Sequence, residues 1–194
     1  MTLQLTKKHS FDLVFDSQKL FRLILEAMSN PAQTVNIEEY RDRLFGDFPL
    51  FLAVAMTLLD NETSFNAFSN LRLTEEIESL TLARKEELPF ADFLFISDSS
   101  YLEEAIENAK CGTLSDPHRS AVLIVQNEGE PDEQLAFFGP GIDGETRLAA
   151  TRTVSDAIIM RDAKSYEYPQ GIDLIFIRAT GELLAVPRLV KVVR

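Results

Sequence analysis

Short, uninterrupted apolar runs mark strands in the last part of the chain. The clearest run, residues 172–177, is apolar at every position except Asp173. A strand without polar alternation is typically buried on both faces. A three-residue turn containing Gly181 leads to a second strand over residues 182–186, and Pro187 ends the ladder because it has no N–H to donate. This hairpin predicts a sheet that is covered by helices on both faces.

Sequence patterns also predict the helices and strands of the rest of the chain. Apolar positions at helical spacing predict a helix over residues 16–28, and Pro49 begins a helix through residue 59 that is apolar nearly all round. Further helices are predicted over residues 71–82, from two apolar residues within a run of acids, over 100–110, from the capping-box spacing of Ser100 and Glu103, and over 154–164. Compact apolar runs predict strands over residues 33–37, 63–68, 91–97, 121–126 and 135–138, the last two pairing as a hairpin. Helices alternate with strands, and hairpins follow, which predicts an α/β or α+β fold with a three-layer mixed β-sheet. At 194 residues, we expect a single domain spanning residues 1–194.

Charge and cysteine content exclude several classes of function. The formal net charge is −12, which argues against a general nucleic-acid or anionic-membrane surface but leaves room for a small local anion site. One cysteine, Cys111, allows neither an intrachain disulfide nor an iron–sulfur cluster held by this chain's cysteines. No secretory signal is evident, and the longest apolar run, residues 48–56, is too short to span a bilayer. We therefore predict a cytoplasmic protein that uses neither membrane nor nucleic acid.

No catalytic motif stands out in the sequence. A Walker loop, a G-x-S-x-G elbow and a G-x-G-x-x-G fingerprint are all missing from it. Two histidines, His9 and His118, lack the spacing of a metal site and are interpreted as surface or capping residues. Cys111 follows a predicted helix end, where the negative helix field disfavours a thiolate, so we expect it to be inert. The sequence thus predicts no catalytic residue, no metal ligand and no cofactor.

A few residues are candidates for ligand binding. Asp173 is an acid within an apolar strand, which indicates either a structural tie to a base such as Arg188 or a ligand-facing acid. The bend formed by Gly139, Pro140 and Gly141 is either a rigid turn or an anion cradle with one donor missing at the proline. The last ten residues contain Arg188, Lys191 and Arg194 and no acids, so they form either a solvated tail or a contact for phosphate.

A set of short motifs follows a characteristic order and spacing along the chain. The motifs are Phe21-Arg22, Ile24-Leu25, Ala27-Met28-Ser29-Asn30-Pro31, Cys111-Gly112-Thr113, Gly139-Pro140-Gly141-Ile142, Pro169-Gln170-Gly171-Ile172-Asp173-Leu174 and Val186-Pro187-Arg188. Together they resemble one known family, the H subunit of bacterial carbon–phosphorus lyase (PhnH). The resemblance covers essentially the whole chain and is most specific in the strand after Pro169 and the terminal Pro-Arg. It departs from the family at Ala32, where glycine usually follows the proline, and residues 36–87 match only loosely.

The resemblance implies a fold and a set of partners. The fold would be similar to the large domain of pyridoxal-phosphate-dependent transferases, without their cofactor lysine. The protein would form a homodimer and join the G, I and J subunits of the lyase core complex. That complex converts alkyl phosphonate and ATP to α-D-ribose 1-alkylphosphonate 5-triphosphate, releases adenine, and later cleaves the carbon–phosphorus bond by radical chemistry. The resemblance assigns the iron–sulfur cluster to the J subunit and the nucleosidase-type step to the I subunit, and it supplies no catalytic residue here.

Three hypotheses follow for the chain itself. The first is an accessory subunit, which requires an apolar or mixed surface for partners. The second is a module that binds an anionic phosphonate or nucleotide without catalysis. It requires Arg188, alone or together with Arg147 or Arg152, to converge near Asp173 or the Gly139–Gly141 bend. The third is a pyridoxal-phosphate enzyme, which requires a Schiff-base lysine, and the candidates are Lys85, Lys110 and Lys164.

Overall fold

The computed structural model describes residues 9–193. Its α-helices are α1 (Phe15–Ser29), α2 (Pro49–Leu58), α3 (Leu71–Thr81), α4 (Leu102–Asn108) and α5 (Arg152–Ala163). Its strands are β1 (Thr34–Asn36), β2 (Ser64–Asn66), β3 (Arg84–Lys85), β4 (Phe93–Ile96), β5 (Val122–Asn127), β6 (Glu133–Phe138), β7 (Thr146–Ala150), β8 (Asp173–Arg178), β9 (Glu182–Val186) and β10 (Lys191–Val193). Short 3-10 helices cover Glu38–Arg43, Ser99–Tyr101 and Pro117–Arg119.

Seven strands form the main sheet, in the order β1-β9-β8-β5-β4-β2-β3. Strands β3, β2, β4, β5 and β8 run parallel to one another, and β9 runs antiparallel to both of its neighbours. The predicted hairpin of β8 and β9 is confirmed, with a three-residue connection in which Gly181 has φ +92°. The fold is therefore mixed α/β, as the sequence predicts.

The two faces of the main sheet carry separate hydrophobic cores. In β8, Ile175 and Ile177 pack into the core that contains the buried sides of α1, α2 and α3. Leu174 and Phe176 point to the opposite face and pack with α4 and α5. Because both faces of the strand are covered, no position in its centre faces water, and this explains the missing polar alternation. Helices on both faces complete the three predicted layers.

One predicted pairing is wrong. Strand β5 does not form a hairpin with β6; it lies between β4 and β8, with Val122 aligned to Phe93 on one side and to Asp173 on the other. Strand β6 instead pairs with β7 and β10 in a separate three-stranded sheet. The burial patterns give the reason. In β6 only Leu135 and Phe137 are buried, so this strand suits a sheet with one covered face, whereas β5 suits the centre of a layered sheet.

Candidate functional site

Asp173 and Arg188 form a buried ion pair at one end of the β8–β9 hairpin. Asp173 begins β8 and is 5% exposed, while Arg188 follows β9 directly after Pro187. The antiparallel register, which aligns Leu174 with Val186, brings the two residues side by side. The Arg188 backbone N–H donates to Asp173 Oδ1 over 2.7 Å, Nε donates to the same oxygen over 3.2 Å, and Nη2 donates to Oδ2 over 2.5 Å. The acid thus has a structural partner for both carboxylate oxygens.

Further segments of the chain position Arg188. Its Nη1 donates to the carbonyl of Pro117, in the 3-10 helix that precedes β5. Gly171 lies against it, and a Cβ added to this glycine would sit 3.0 Å from the Arg188 Cβ. Gly171 has φ +146°, a conformation that L-residues rarely adopt, so glycine permits the close approach. Arg188 therefore links the hairpin to the neighbouring loops as well as to Asp173.

A cavity of about 550 Å³ opens beside Arg188. Its described lining contains four cations and a single carboxylate, in a chain whose net charge is −12. We call this surface the basic groove and define it by the cations Arg161, Lys164, Arg188 and Lys191, the acid Asp162, and the neutral side chains Tyr166, Tyr168 and Gln170. The groove lies at the amino-terminal end of β8, beside the last turn of α5.

Arg161 forms the buried floor of the basic groove. Its Nη1 donates to the carbonyls of Val186 and Pro187, each over 3.2 Å, and its Nη2 donates to the carbonyl of Val190 over 2.7 Å. Its Nε donates to Asp162 Oδ1 over 3.0 Å. A buried guanidinium with these partners holds together the segment that connects β9 to β10. It also engages the one carboxylate in the groove lining.

Lys164 joins the groove to the end of α4. Its ammonium donates to the carbonyl of Ile106 over 3.0 Å and to that of Glu107 over 2.6 Å. These carbonyls belong to the last turn of the helix, where a cation also interacts favourably with the helix dipole. The ammonium lies 5.9 Å from the centre of the Tyr166 ring, within the range of a cation–π contact.

Lys191 is the most accessible cation of the groove. Its side chain is 67% exposed, and its Nζ lies 3.9 Å from Asp162 Oδ1. An exposed ion pair at this distance contributes little to stability. Lys191 is therefore able to turn toward another anion without disturbing the fold.

Tyr166 contributes a buried hydroxyl beneath the groove. Among the described residues, its oxygen has no hydrogen-bond partner. Burial, together with the neighbouring Cys111, raises the pKa of Tyr166 to about 12. The phenol therefore stays protonated at neutral pH and keeps a proton to donate.

The predicted Gly139–Gly141 bend borders the groove through Pro140. A Cβ at Gly139 would lie 3.0 Å from the Leu189 carbonyl oxygen, and one at Gly141 would lie 2.6 Å from the Ser29 carbonyl oxygen. Both glycines have positive φ, so each permits backbone to approach backbone where a side chain does not fit. The structure thus brings the bend and Arg188 to one cavity.

Two other candidate bases lie elsewhere. Arg147 pairs with Glu145 over 2.6 Å and Arg152 with Asp156 over 3.4 Å, on exposed surfaces outside the groove lining. Their predicted convergence with Arg188 is wrong, because β7 and the start of α5 direct them to solvent. The sequence analysis missed Arg161, and it considered Lys164 only as a Schiff-base candidate and not as an anion-binding residue. Their spacing of three residues at the end of α5 places both on one side of the helix, and this was the available signal.

Cavities also lie at the carboxyl ends of the parallel strands, where sheets of this kind usually bind ligands. Two of them, of about 240 and 300 Å³, have described linings that contain Asp98 and Glu128 but no cation. A third, of about 90 Å³, has Arg41 and Arg178 beside Asp47 in its lining, and it is much smaller than the basic groove. The basic groove is the better candidate for a phosphorus oxyanion, because it combines four cations with the larger volume.

Within residues 9–193, no group of three His, Cys, Asp or Glu side chains is arranged to hold a metal ion. Over the same residues, no helix is both long enough and apolar enough to cross a membrane. His9 accepts a hydrogen bond from the Phe45 backbone N–H over 3.1 Å, which is a structural role.

A comparison with protein families gives a match over nearly the whole chain. A family model described as "Bacterial phosphonate metabolism protein (PhnH)" matches residues 9–193 of the 194-residue chain. No curated protein is significantly similar to the chain in sequence.

Proposed function

The chain belongs to the bacterial phosphonate metabolism proteins of the PhnH family, and from this premise we propose that it is an accessory subunit of the carbon–phosphorus lyase core complex. In this proposal it is cytoplasmic, pairs with a second copy, and binds the G, I and J subunits. The complex converts alkyl phosphonate and ATP to α-D-ribose 1-alkylphosphonate 5-triphosphate and releases adenine. Catalysis belongs to the partners.

An exposed apolar surface on α1 supports the subunit role. The buried side of this helix, which includes Leu20 and Ile24, packs into the core. Large apolar side chains are also exposed on and just before the helix, and we call them the α1 patch: Leu13, Val14, Phe15, Phe21 and Leu25. Phe21 and Leu25 are four residues apart and therefore adjacent on the helix surface. An exposed apolar patch of this kind is typical of a contact with another protein, and we assign it to another subunit of the complex.

Two of the three candidate lysines for a Schiff base are held in structural contacts, and the third, Lys85, is exposed and not desolvated. Lys110 forms an ion pair with Asp92 and donates to the carbonyl of Phe90 over 3.0 Å. Lys164 donates to two carbonyls of α4. A Schiff-base lysine needs a free, desolvated amine, so these contacts favour an accessory role over a pyridoxal-phosphate enzyme. The similarity to the large domain of pyridoxal-phosphate transferases stays a prediction.

Co-expression tests the subunit role. The chain, tagged at its carboxyl end, is produced together with the G, I and J subunits and recovered through the tag. We expect a stoichiometric complex from the wild-type chain. Phe21→Asp is expected to lose the partners, because a carboxylate in an apolar contact is costly to desolvate. Phe90→Asp is the matched control, since Phe90 is 64% exposed and Phe21 is 50% exposed.

The outcomes separate the possible occupants of the α1 patch. Recovery of the wild-type chain alone would contradict the subunit role. Equal recovery of partners by both variants would show that the contact lies elsewhere. Loss of self-association by Phe21→Asp with partners retained would assign the patch to a second copy. Far-UV circular dichroism of each variant distinguishes a lost contact from a lost fold.

A further inference from the structure

We propose that the basic groove binds the phosphorus oxyanion of a small molecule, as a phosphate or phosphonate group. The site concerns this chain's own surface and does not depend on the α1 patch. Its described lining contains four cations and one carboxylate, a larger excess of cations than in the other cavities described above. In an acidic chain, a concave surface with this charge focuses a local field that attracts anions.

The cations of the groove have N–H donors that are not used in hydrogen bonds within the described part of the chain. The Lys164 ammonium has three protons and donates to two carbonyls, which leaves one. Lys191 holds only its long contact to Asp162. The terminal nitrogens of Arg188 each make one hydrogen bond, which leaves one N–H on each, and the side chain is 19% exposed.

The one carboxylate of the groove does not compete strongly for these donors. Asp162 accepts from Nε of Arg161 over 3.0 Å, so part of its charge is already neutralised. A ligand that only accepts hydrogen bonds and carries negative charge complements such a surface. Phosphate and phosphonate groups have this chemistry, and charge-assisted bonds to Lys and Arg are among the strongest in proteins.

The dimensions and aromatic residues of the groove suit more than a bare anion. A volume of about 550 Å³ lies in the range of small-molecule sites. Tyr168 is exposed among the lining residues, and the Tyr166 ring lies beside Lys164. Aromatic rings stack on nucleobases and pack against alkyl groups. Two sources of the same oxyanion therefore fit, a nucleoside phosphate and an alkylphosphonate.

The variants that test the site must spare the fold. Arg161 and Arg188 are unsuitable because they hold backbone segments and a buried acid. Lys191→Glu reverses the charge of an exposed side chain whose contacts are weak. Lys85→Glu is the matched control, because Lys85 is exposed on β3 at the far edge of the main sheet and makes the same change in net charge. Tyr168→Ala probes the exposed ring without any change in charge.

Isothermal titration calorimetry with the full chain measures binding of ATP, methylphosphonate and inorganic phosphate at fixed ionic strength. We expect saturable binding of at least one of them at one site per chain. Lys191→Glu is expected to weaken it by roughly tenfold or more, from the loss of a charge-assisted contact, while Lys85→Glu stays within about twofold. The chain has no tryptophan and four tyrosines, so tyrosine emission gives a second readout for the transparent ligands.

The titrations also identify the source of the oxyanion. Binding of ATP alone indicates a nucleoside phosphate, and loss of affinity in Tyr168→Ala would then report stacking. Binding of methylphosphonate alone indicates a phosphonate, and equal binding of inorganic phosphate shows that the oxyanion suffices. No saturable binding of any of the three, or equal weakening by Lys191→Glu and Lys85→Glu, would overturn the proposal. Neither result bears on the co-expression test, so the two proposals fail separately.

Discussion

The buried ion pair of Asp173 and Arg188 predicts that the two side chains are strongly coupled in their contribution to the free energy of unfolding. Asp173 is 5% exposed, and all three of its hydrogen-bond donors belong to Arg188. Replacing Arg188 by methionine keeps the length of the aliphatic stem and the backbone N–H, but it removes the guanidinium. The carboxylate is then buried with a single hydrogen bond. We expect Arg188→Met to be among the most destabilising changes in the chain outside its apolar cores.

The magnitude follows from the geometry. Removing one partner of a buried ion pair typically costs about 3–5 kcal/mol in the free energy of unfolding. The Arg188 side chain is 19% exposed and the backbone N–H still donates over 2.7 Å, so we take the lower end, about 3 kcal/mol. For a chain of this size, this lowers the melting temperature by roughly 6–12 °C. Asp173→Asn is expected to cost about 2 kcal/mol, because its amide group faces the donors of Arg188.

Urea unfolding followed by circular dichroism measures the free energies. The two single variants and the double variant form a cycle, and we expect the double variant to be about 1–2 kcal/mol more stable than additivity predicts. Arg147→Met is the control, because Arg147 pairs with Glu145 on the surface and such pairs contribute less than about 1 kcal/mol. A cost below about 1 kcal/mol for Arg188→Met, or strict additivity, would refute the reasoning from burial.

Two further changes probe a turn and a charge network. Ala32 has φ +67° and is buried, so Ala32→Gly relieves left-handed strain but loses a buried methyl group. We expect the free energy of unfolding to change by less than about 1 kcal/mol. The control Ala157→Gly, inside α5, should lose about 2 kcal/mol, and thermal melting compares the two variants. Burial alone would raise the pKa of Asp92, but hydrogen bonds from Lys110 and Ser64 outweigh it and lower the pKa below its usual value of 3.8. The stabilisation that ionised Asp92 contributes is present above pH 4 and is lost as the pH falls through the lowered pKa. Asp92→Asn should therefore destabilise the chain at pH 7, by about 1 kcal/mol after discounting for solvent screening. The difference in melting temperature between this variant and the wild type should shrink below pH 4. A difference that stays constant with pH would contradict the assignment.

The structural role of Arg188 also decides how ligand binding is tested. A variant such as Arg188→Ala removes a groove cation and the partner of Asp173 together. A loss of ligand affinity would then not be separable from a change in the β8–β9 hairpin. Lys191 avoids this difficulty, because its side chain is 67% exposed and its one charged contact is 3.9 Å long. Binding and folding are therefore best separated at Lys191.

Local patterns in the sequence determined most helices and strands. The helical periodicity of α1, the apolar run of α2 after Pro49 and the buried run of β8 are local features that the chain itself carries. The β8–β9 hairpin was equally local, because its connection is three residues long and contains Gly181. Asp173 could be singled out for the same reason, since an acid in an apolar strand needs a partner wherever the strand lies.

The tertiary structure alone decided how the strands pair and where the cations meet. Strand β5 has neighbours from distant parts of the chain, and no local signal distinguishes a central strand flanked by β4 and β8 from one arm of a hairpin. Arg161 and Lys164 reach Lys191 only because the end of α5 packs beside β10, a contact between residues far apart in sequence. Arg147 and Arg152 were equally plausible bases in the sequence, yet they face solvent elsewhere. Long-range packing sets these positions, and the energies of such contacts depend on partners that periodicity does not encode.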